Sequence, residues 1–266
     1  MAKRLIAIGD LHCGHVVGVT PPEWEQGDRP QHHAHKTQKI RRACWEWLVQ
    51  TAKRLGRPDV LVVNGDAIEG KGARSGGTEL LEADRSAQAD MAAQAIGLFH
   101  ARHIVMTYGT AYHVSGDGED WEQVLADKVA ADKLGAHEWV EIAGTVWDFK
   151  HHVSGSGVPH GRKTAVSREE LWNLVWSDAG LQPRADWVCR SHVHYHEGGF
   201  RWYGRRQVWA MTLPPLQAMG SKYGARTCSG TVDVGLVVWD IGNGGDVTWH
   251  AEMAHIPAQQ ARASRF

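Results

Sequence analysis

Long apolar runs are absent from this sequence of 266 residues. No stretch approaches the roughly 18 residues that a membrane-spanning helix needs. Residues 1–8 are too few for a secretory signal peptide, and they lead straight into Asp10, the first candidate site residue. We therefore expect no membrane partner and a cytoplasmic location.

A charge excess of either sign is also missing. The 29 Lys and Arg residues are balanced by 30 Asp and Glu residues, which gives a formal net charge of −1. A strong positive field is what draws a protein to duplex DNA regardless of base sequence, so this balance disfavours a non-specific duplex binder. It leaves room for a local basic patch.

Cysteine is scarce, and its spacing gives no sign of a C-x-x-C site or of a disulfide framework. The four residues form no C-x-x-C pair and are far apart in the chain: Cys13, Cys44, Cys189 and Cys228. This pattern favours small buried residues in a reducing compartment over disulfides. Cys13 follows His12, and we expect its side chain to lie on the opposite face of the segment.

Carboxylate and imidazole groups follow four predicted strands at the point where each strand ends. The four segments are Asp10-Leu11-His12, Asn64-Gly65-Asp66, His151-His152 and Ser191-His192-Val193-His194. In open α/β folds the functional site lies at the carboxyl ends of the strands. Mixed Asp and His ligands without Cys suit a first-row divalent metal ion, namely Mn, Fe, Ni or Zn. More ligands converge than one ion needs, which indicates two ions.

The order of these segments, from about residue 4 to residue 196, resembles the calcineurin-like metallophosphoesterase superfamily. The resemblance implies an α/β fold with a two-sheet β-sandwich flanked by helices, in four layers α/β/β/α. Strand–helix alternation followed by strand-only sequence fits the same architecture. The resemblance also implies hydrolysis of phosphate esters through a hydroxide that bridges two metal ions, with Asp66 as the bridging ligand. The other ligands that it implies are Asp10, His12, His151, His192 and His194.

One segment departs from the family pattern. The family usually carries Gly-Asn-His-Asp/Glu after its third strand, where Asn binds a metal ion and His assists the leaving group. Here Gly109 is followed by Thr110, and the histidine comes two positions late, as His113. A similar Gly-Thr-x-x-His form occurs in metallophosphoesterases of phage and prophage origin, the branch that this chain resembles.

Two roles for His113 remain open. It is either the displaced catalytic histidine, which leaves the second metal ion one protein ligand short, or a ligand that replaces Asn. We favour the catalytic role, in which His113 protonates the departing oxygen while Asp66 bridges the ions.

Spacing supports part of this ligand set. Side chains at i and i+2 of an extended segment share a face, so Asp10 with His12, and His192 with His194, can each reach one cluster. His151 and His152 cannot share a face, and His151 is the preferred ligand.

Several neighbouring residues have more than one interpretation. Asn64 either bonds a metal ligand or simply ends its strand. Glycines 65, 109 and 155 are expected to let the backbone approach the metal ions closely. Arg162 and Lys163 follow the His151 strand and are candidates for binding a substrate phosphate oxygen, with a solvated basic face as the alternative. His15 and His196 are expected outside the ligand set, and His32, His33 and His35 in a solvated loop.

The wider pattern predicts one domain over residues 1–257 and a loose tail over 258–266. It predicts a long loop insertion at 14–37, helices over 40–55 and 78–100, a helix that follows Gly118 and runs to about residue 134, and a helix that opens at Ser167 in a capping box with Glu170. Two hairpins are predicted near 199–212 and 231–253.

We therefore expect a metal-dependent phosphoesterase that hydrolyses phosphodiesters, with phosphomonoesters as a further substrate class. The substrate is expected to be a nucleotide or nucleic acid. The alternatives are a DNA or RNA nuclease of the repair-exonuclease type and a non-catalytic metal-binding scaffold. The sequence does not indicate the oligomeric state.

Overall fold

A computed structural model describes residues 2–25, 32–114, 120–220, 232–256 and 263–264, without the side chains of 32–36 and 114. The strands are β1 (Lys3–Ile8), β2 (Val60–Asn64), β3 (His103–Thr107), β4 (Lys133–Gly135), β5 (Glu138–Ile142), β6 (Thr145–Phe149), β7 (Trp187–Arg190), β8 (Glu197–Tyr203), β9 (Arg206–Thr212), β10 (Gly235–Ile241) and β11 (Val247–Met253). The helices are α1 (His32–Leu55), α2 (Arg85–Gly97), α3 (Ala111–Val114), α4 (Trp121–Lys128) and α5 (Arg162–Asp178).

Within the described residues the strands form two sheets. The first has the order β11-β10-β1-β2-β3-β4, and the second has the order β5-β6-β7-β9-β8. Strands β1 to β4 run parallel, as do β6, β7 and β9, while β10 and β8 pair antiparallel at the sides. The carboxyl ends of β1, β2 and β3 therefore lie at one edge of the first sheet.

Strand β1 has apolar residues on both faces, and each face packs into a different core. Leu5 and Ala7 belong to the core between the sheets, together with Trp147 of β6, whereas Ile6 and Ile8 belong to a second core beneath the helices. A continuous apolar run of this kind is typical of a strand buried on both faces. The second core holds residues of α1, α2 and α4.

Helix α5 covers the outer face of the second sheet, where Val166 packs with Val188 and Ala210. The predicted four-layer α/β/β/α arrangement is thus confirmed. None of the described helices is long and apolar enough to cross a membrane.

Helix boundaries were predicted less well than strands. Helix α1 begins at His32, so the predicted loop 14–37 is too long by six residues at its end, and the histidines 32, 33 and 35 are helical. No Gly or Pro lies between Pro30 and Gly56, so nothing in the sequence stops the helix before its apolar face begins. Residues 26–31 lie outside the described residues.

The other helix errors have similar local causes. Helix α5 begins at Arg162, directly after a 3-10 turn over Pro159–Gly161, so Ser167 lies inside it and does not open it. Helix α2 begins only at Arg85, where the Asp84 carboxylate accepts the Ser86 backbone N–H. Helix α4 ends at Lys128, and a turn leads to β4 (Lys133–Gly135), which was missed. Of the predicted tail, only residues 263 and 264 are described.

A buried ionic network on the outer face of the second sheet holds β6 against β7. The Arg190 guanidinium donates to Asp148 Oδ1 at 2.6 Å and to Glu169 Oε2 at 3.1 Å. Lys150 donates to the same Glu169 oxygen at 2.6 Å, and His137 Nε2 lies 2.8 Å from Asp148 Oδ1. Because both strands continue directly into candidate ligands, this network helps to fix the positions of those ligands.

The network predicts a pH-dependent stability. Burial would raise the pKa of Asp148, but Arg190 and His137 lower it to about 2. Since this pKa is lower in the folded state than in the unfolded chain, the stabilisation is present above about pH 4 and is lost as the pH falls toward 2. At 1.36 kcal/mol per pKa unit it is on the order of 2 kcal/mol.

We expect Asp148→Asn to lower the free energy of unfolding at pH 6 and to flatten its decline between pH 4 and pH 3. Urea denaturation with chelator present measures both. The exposed Asp178, which pairs with Arg184, provides the control Asp178→Asn, whose profile should follow that of the wild type. A parallel decline in Asp148→Asn and wild type would contradict the assigned pKa.

Candidate metal centre

Hydrogen bonds of Asn64 hold three site strands together at their ends. Its Nδ2 donates to Ser191 Oγ at 2.8 Å, and its Oδ1 accepts the Thr107 hydroxyl at 2.9 Å. The backbone carbonyl of Asn64 lies 2.8 Å from His151 Nδ1. The side chain therefore links strand ends, and the backbone orients a candidate ligand, which combines the two alternatives that the sequence left open.

The structure brings all seven predicted metal-site and catalytic residues together in three overlapping groups. In each group, one nitrogen or oxygen from every member lies within 4.8 Å of the others. The groups are Asp10/His12/His194, His12/Asp66/His113 and Asp66/His151/His192. We name them groups one, two and three, and Asp66 and His12 each belong to two of them.

Group one contains a buried carboxylate oxygen without a hydrogen bond. Asp10 Oδ1 lies 3.3 Å from His194 Nε2, which in turn lies 3.3 Å from His12 Nε2. The Asp10 side chain is fully buried, and its Oδ1 has no hydrogen-bond partner among the described residues. A buried carboxylate oxygen left in this way is costly unless a cation or proton neutralises it. This orphaned oxygen and the Asp/His donor set fit a divalent metal ion.

Group three is the tightest part of the site. Asp66 Oδ2 lies 3.0 Å from His151 Nε2, and both side chains are almost completely buried. Since His151 Nδ1 is oriented by the Asn64 carbonyl, its Nε2 is the atom presented to the group. His152 belongs to none of the three groups, and its ring lies against His192 at 4.6 Å between centroids.

His113 joins group two from the short helix α3. Its Nδ1 lies 2.8 Å from the Glu69 carbonyl oxygen, and its Nε2 lies 3.9 Å from Asp66 Oδ2. Its ring meets the His12 ring edge-on at 4.6 Å. The Glu69 carbonyl fixes the ring so that Nε2 faces Asp66, an orientation that serves either a ligand or a proton donor.

Opposite charges shift the pKa values of the group members. Burial would raise the pKa of Asp66, but His151 and His12 hold it well below its usual range. Burial would lower the pKa of His151, yet Asp66 and Asp10 raise it to about 10. Burial together with His151 lowers the pKa of His192 to about 4, although Asp10 and Asp66 act in the opposite direction. Bound metal ions would displace protons from these ligands.

Sequence reasoning missed two buried carboxylates beside the groups. Glu69 Oε2 lies 2.8 Å from His12 Nδ1 and so orients that imidazole. Glu122 Oε2 accepts the Gly109 backbone N–H at 2.5 Å, and burial together with Asp66 raises the pKa of Glu122 to about 8. Glu69 lies three residues after Asp66, and that proximity is the one sequence signal available; Glu122 has none.

Two of the three predicted glycines contact the groups closely. A Cβ at Gly65, where φ is +76°, would lie 2.5 Å from His151 Nδ1, and one at Gly109 would overlap Asp66. At Gly155 the nearest atom belongs to Val193, at 3.6 Å, so this glycine needs no special explanation.

Most of the candidate ligands lie in left-handed backbone rather than in extended strand, and this conformation determines where their side chains point. Among the described non-glycine residues with positive φ, five are candidate ligands: Asp10, His12, Asp66, His192 and His194. The premise that i and i+2 share the face of an extended segment is therefore wrong at both pairs, although each pair does converge. Such backbone is uncommon outside glycine and clusters at functional sites.

The remaining candidates lie outside the three groups. His15 Nε2 lies 3.6 Å from a Glu79 carboxylate oxygen, and His196 Nδ1 lies 2.7 Å from the Thr212 carbonyl oxygen. Cys13 is buried in the core beneath the helices, as expected.

The predicted phosphate-binding pair has contacts elsewhere. The Arg162 guanidinium lies over the Tyr195 ring at 4.6 Å, and the Lys163 ammonium packs against Gly199 of β8. Their role in phosphate binding stays a prediction.

Arg74, from the loop after Gly70, stacks on Tyr112 at 4.3 Å, and Tyr112 contacts the His113 ring at 4.2 Å. These contacts connect Arg74 to group two through aromatic rings.

Comparison with known proteins gives only distant likenesses. The chain matches no protein-family model and no curated protein. Among solved structures it is similar to a novel archaeal phosphodiesterase, with 15% identity and a TM-score of 0.42 over 94% of this chain and 100% of that one. It is also similar to the phosphoesterase YfcE from E. coli, with 12% identity and a TM-score of 0.42 over 94% and 99%. A third is Vps29 from Chaetomium thermophilum, with 10% identity and a TM-score of 0.42 over 96% and 100%. Likenesses at this level say nothing about activity, so the functional case depends on the site.

The orphaned oxygen of Asp10 predicts how metal binding changes stability. An ion that binds only the folded state adds about 2.7 kcal/mol at a concentration 100 times its Kd. We expect Asp10→Asn to lose most of the metal-dependent rise in melting temperature, while its metal-free melting temperature changes little. Thermal unfolding with chelator and then with Mn²⁺ measures this effect, and Asp178→Asn should behave as the wild type. A full metal-dependent rise in Asp10→Asn would show that the ion binds elsewhere.

Proposed function

We propose that this chain is a metal-dependent phosphoesterase that hydrolyses phosphodiesters at groups one to three, with phosphomonoesters as a further substrate class. The observation that carries the proposal is the convergence of four buried or half-buried histidines on Asp66 and Asp10, where one Asp10 carboxylate oxygen has no hydrogen bond. The order of these residues along the chain, which resembles the calcineurin-like metallophosphoesterases, supports the same function.

Asp66 and Asp10 would hold two divalent ions together with the histidines of groups one and three. When bound, such ions polarise a phosphate oxygen and lower the pKa of a coordinated water. Asp66 Oδ2 faces both groups, since it lies 3.0 Å from His151 Nε2 and 3.9 Å from His12 Nε2. Glu69 and the Asn64 carbonyl fix the two imidazoles on either side, so the ligand atoms need little rearrangement to bind.

His113 is proposed as the proton donor to the leaving oxygen, with a ligand role as the alternative. Its Nδ1 is oriented by the Glu69 carbonyl, so a proton on Nε2 would point toward the space beside Asp66. General acid catalysis of this kind contributes roughly 10²–10⁴-fold to the rate.

Nucleotides or nucleic acids are the proposed source of the phosphodiester. Strand β8 exposes Phe200 and Trp202, whose ring centroids lie 6.4 Å apart, and base stacking on exposed aromatic rings is typical of single-stranded nucleic-acid binding. The Gly-Thr-x-x-His form supports a phage or prophage branch. A repair-type nuclease would share the same site chemistry.

The first test is hydrolysis by metal-stripped protein after Mn²⁺, Ni²⁺ or Zn²⁺ is added back. We expect restored cleavage of bis(nitrophenyl) phosphate and of nitrophenyl nucleotide diesters, and a loss of at least 10³-fold in Asp66→Asn, because both metal positions share this carboxylate. Asp178→Asn is the matched control and should retain full activity. Stoichiometric metal binding without turnover of any diester or monoester would instead favour the non-catalytic scaffold.

The role of His113 is tested by His113→Asn on two diesters that differ in the leaving group. A proton donor matters most for a poor leaving group, so we expect a loss of roughly 10²-fold or more with an alkyl leaving group and a much smaller loss with nitrophenolate. Metal content, measured in the same preparations, should stay at the wild-type value. Loss of one bound ion together with an equal loss of rate on both substrates would assign His113 as a ligand.

A further inference from the structure

Thr110 stands where the resembled family carries a metal-binding asparagine, and its hydroxyl lies inside group three. Thr110 Oγ1 is 3.2 Å from Asp66 Oδ2, 3.3 Å from His151 Nε2 and 3.2 Å from His192 Nδ1. One carboxylate oxygen and two imidazole nitrogens therefore surround one hydroxyl oxygen. A hydroxyl has a single proton to give, so it can donate to only one of these three atoms.

Four of the six distances among these four atoms are close to the edge of a coordination tetrahedron. A first-row ion with bonds of about 2.0–2.1 Å in tetrahedral geometry separates its ligand atoms by about 3.3–3.4 Å. The three Thr110 contacts are 3.2–3.3 Å, and Asp66 Oδ2 lies 3.0 Å from His151 Nε2. The ligand atom of His192 lies within 4.8 Å of those of Asp66 and His151. An ion at the centre would take one lone pair from each atom.

Gly109 explains how so short a side chain reaches this position. The hydroxyl oxygen of threonine is one bond closer to the backbone than the amide oxygen of asparagine, so the backbone itself has to lie near Asp66. A Cβ at Gly109 would overlap the Asp66 carboxylate and backbone, and the Thr110 N–H donates to Asp66 Oδ1 at 2.6 Å. Glu122 holds the preceding N–H, that of Gly109, at 2.5 Å.

We propose that the Thr110 hydroxyl is the fourth protein ligand of the metal ion held by Asp66, His151 and His192. This inference rests on the proposed metal-dependent function. It removes the expected deficit of one protein ligand at the second metal ion without requiring His113 to supply it. Thr110 also positions Asp66, because its N–H fixes Oδ1 and leaves Oδ2 directed at the ions.

The test compares Thr110→Val, which removes the hydroxyl at nearly constant shape, with Thr110→Ser, which keeps it. Titration calorimetry of the metal-free proteins with Mn²⁺ and with Zn²⁺ gives the number of ions and both dissociation constants. We expect Thr110→Val to bind one ion as the wild type does and the other at least 10-fold more weakly. Thr110→Ser should stay within about 3-fold of the wild type for both ions, since a retained ligand leaves the binding free energy nearly unchanged.

Co²⁺ absorption provides a readout that does not depend on turnover or on the fold of a single variant. The visible spectrum of Co²⁺ reports its coordination number, so Thr110→Ser should reproduce the wild-type spectrum of the ion held by Asp66, His151 and His192. Thr110→Val, or Thr110→Ala if the valine variant does not fold, should change it.

The two proposals fail in different ways. Two ions bound with wild-type affinity and an unchanged Co²⁺ spectrum in the variants without the hydroxyl would overturn the role of Thr110 and leave the metal-dependent function intact. A wild-type protein that binds no metal ion would overturn both.

Discussion

The buried carboxylate of Asp66 is the group on which the rest of the site depends. A buried charge lowers the stability of the folded state unless it is paired and hydrogen-bonded. The two oxygens of the Asp66 carboxylate have different partners. Oδ1 accepts the Thr110 N–H, whereas Oδ2 faces the imidazoles of His12, His113 and His151. One oxygen thus fixes the carboxylate, and the other is shared between the groups that would hold ions.

Strained backbone is the cost of this convergence, and backbone hydrogen bonds offset it. Positive φ outside glycine costs on the order of 1–3 kcal/mol per residue, and Asp and His tolerate it better than most. The segments that follow β1 and β2 remain paired beyond the ends of these strands. The Asp10 backbone N–H donates to the Gly65 carbonyl oxygen, and the His12 backbone N–H donates to the Asp66 carbonyl oxygen, at 3.0–3.1 Å. The left-handed turns are therefore held by an extension of the parallel ladder rather than by the side chains alone.

The sandwich and the seven converging residues were predictable because their order along the chain carries the resemblance to a known family. Apolar runs such as 60–63 also end in polar segments that hold candidate ligands. The start of α1 and the end of α4 were missed because tertiary packing decides where a weakly periodic helix begins and ends. Glu122 reaches Gly109 only through the fold, so no spacing in the chain identifies it. The three contacts of the Thr110 hydroxyl are hidden for the same reason.

The site spans the junction of the two sheets, which couples its geometry to the core between them. Asp10 and Asp66 come from the first sheet, while the histidines at 151, 192 and 194 come from the second, and the Asn64–Ser191 hydrogen bond joins the two at 2.8 Å. Tryptophans set the spacing between the sheets, since Trp239 meets both Trp147 and Trp187 edge-on at 6.3 Å and 5.7 Å. Interiors packed in this way do not deform continuously. Distances between ligands of the two sheets are therefore a property of the whole sandwich, so a substitution that shifts one sheet against the other is expected to change metal affinity as well as folding stability.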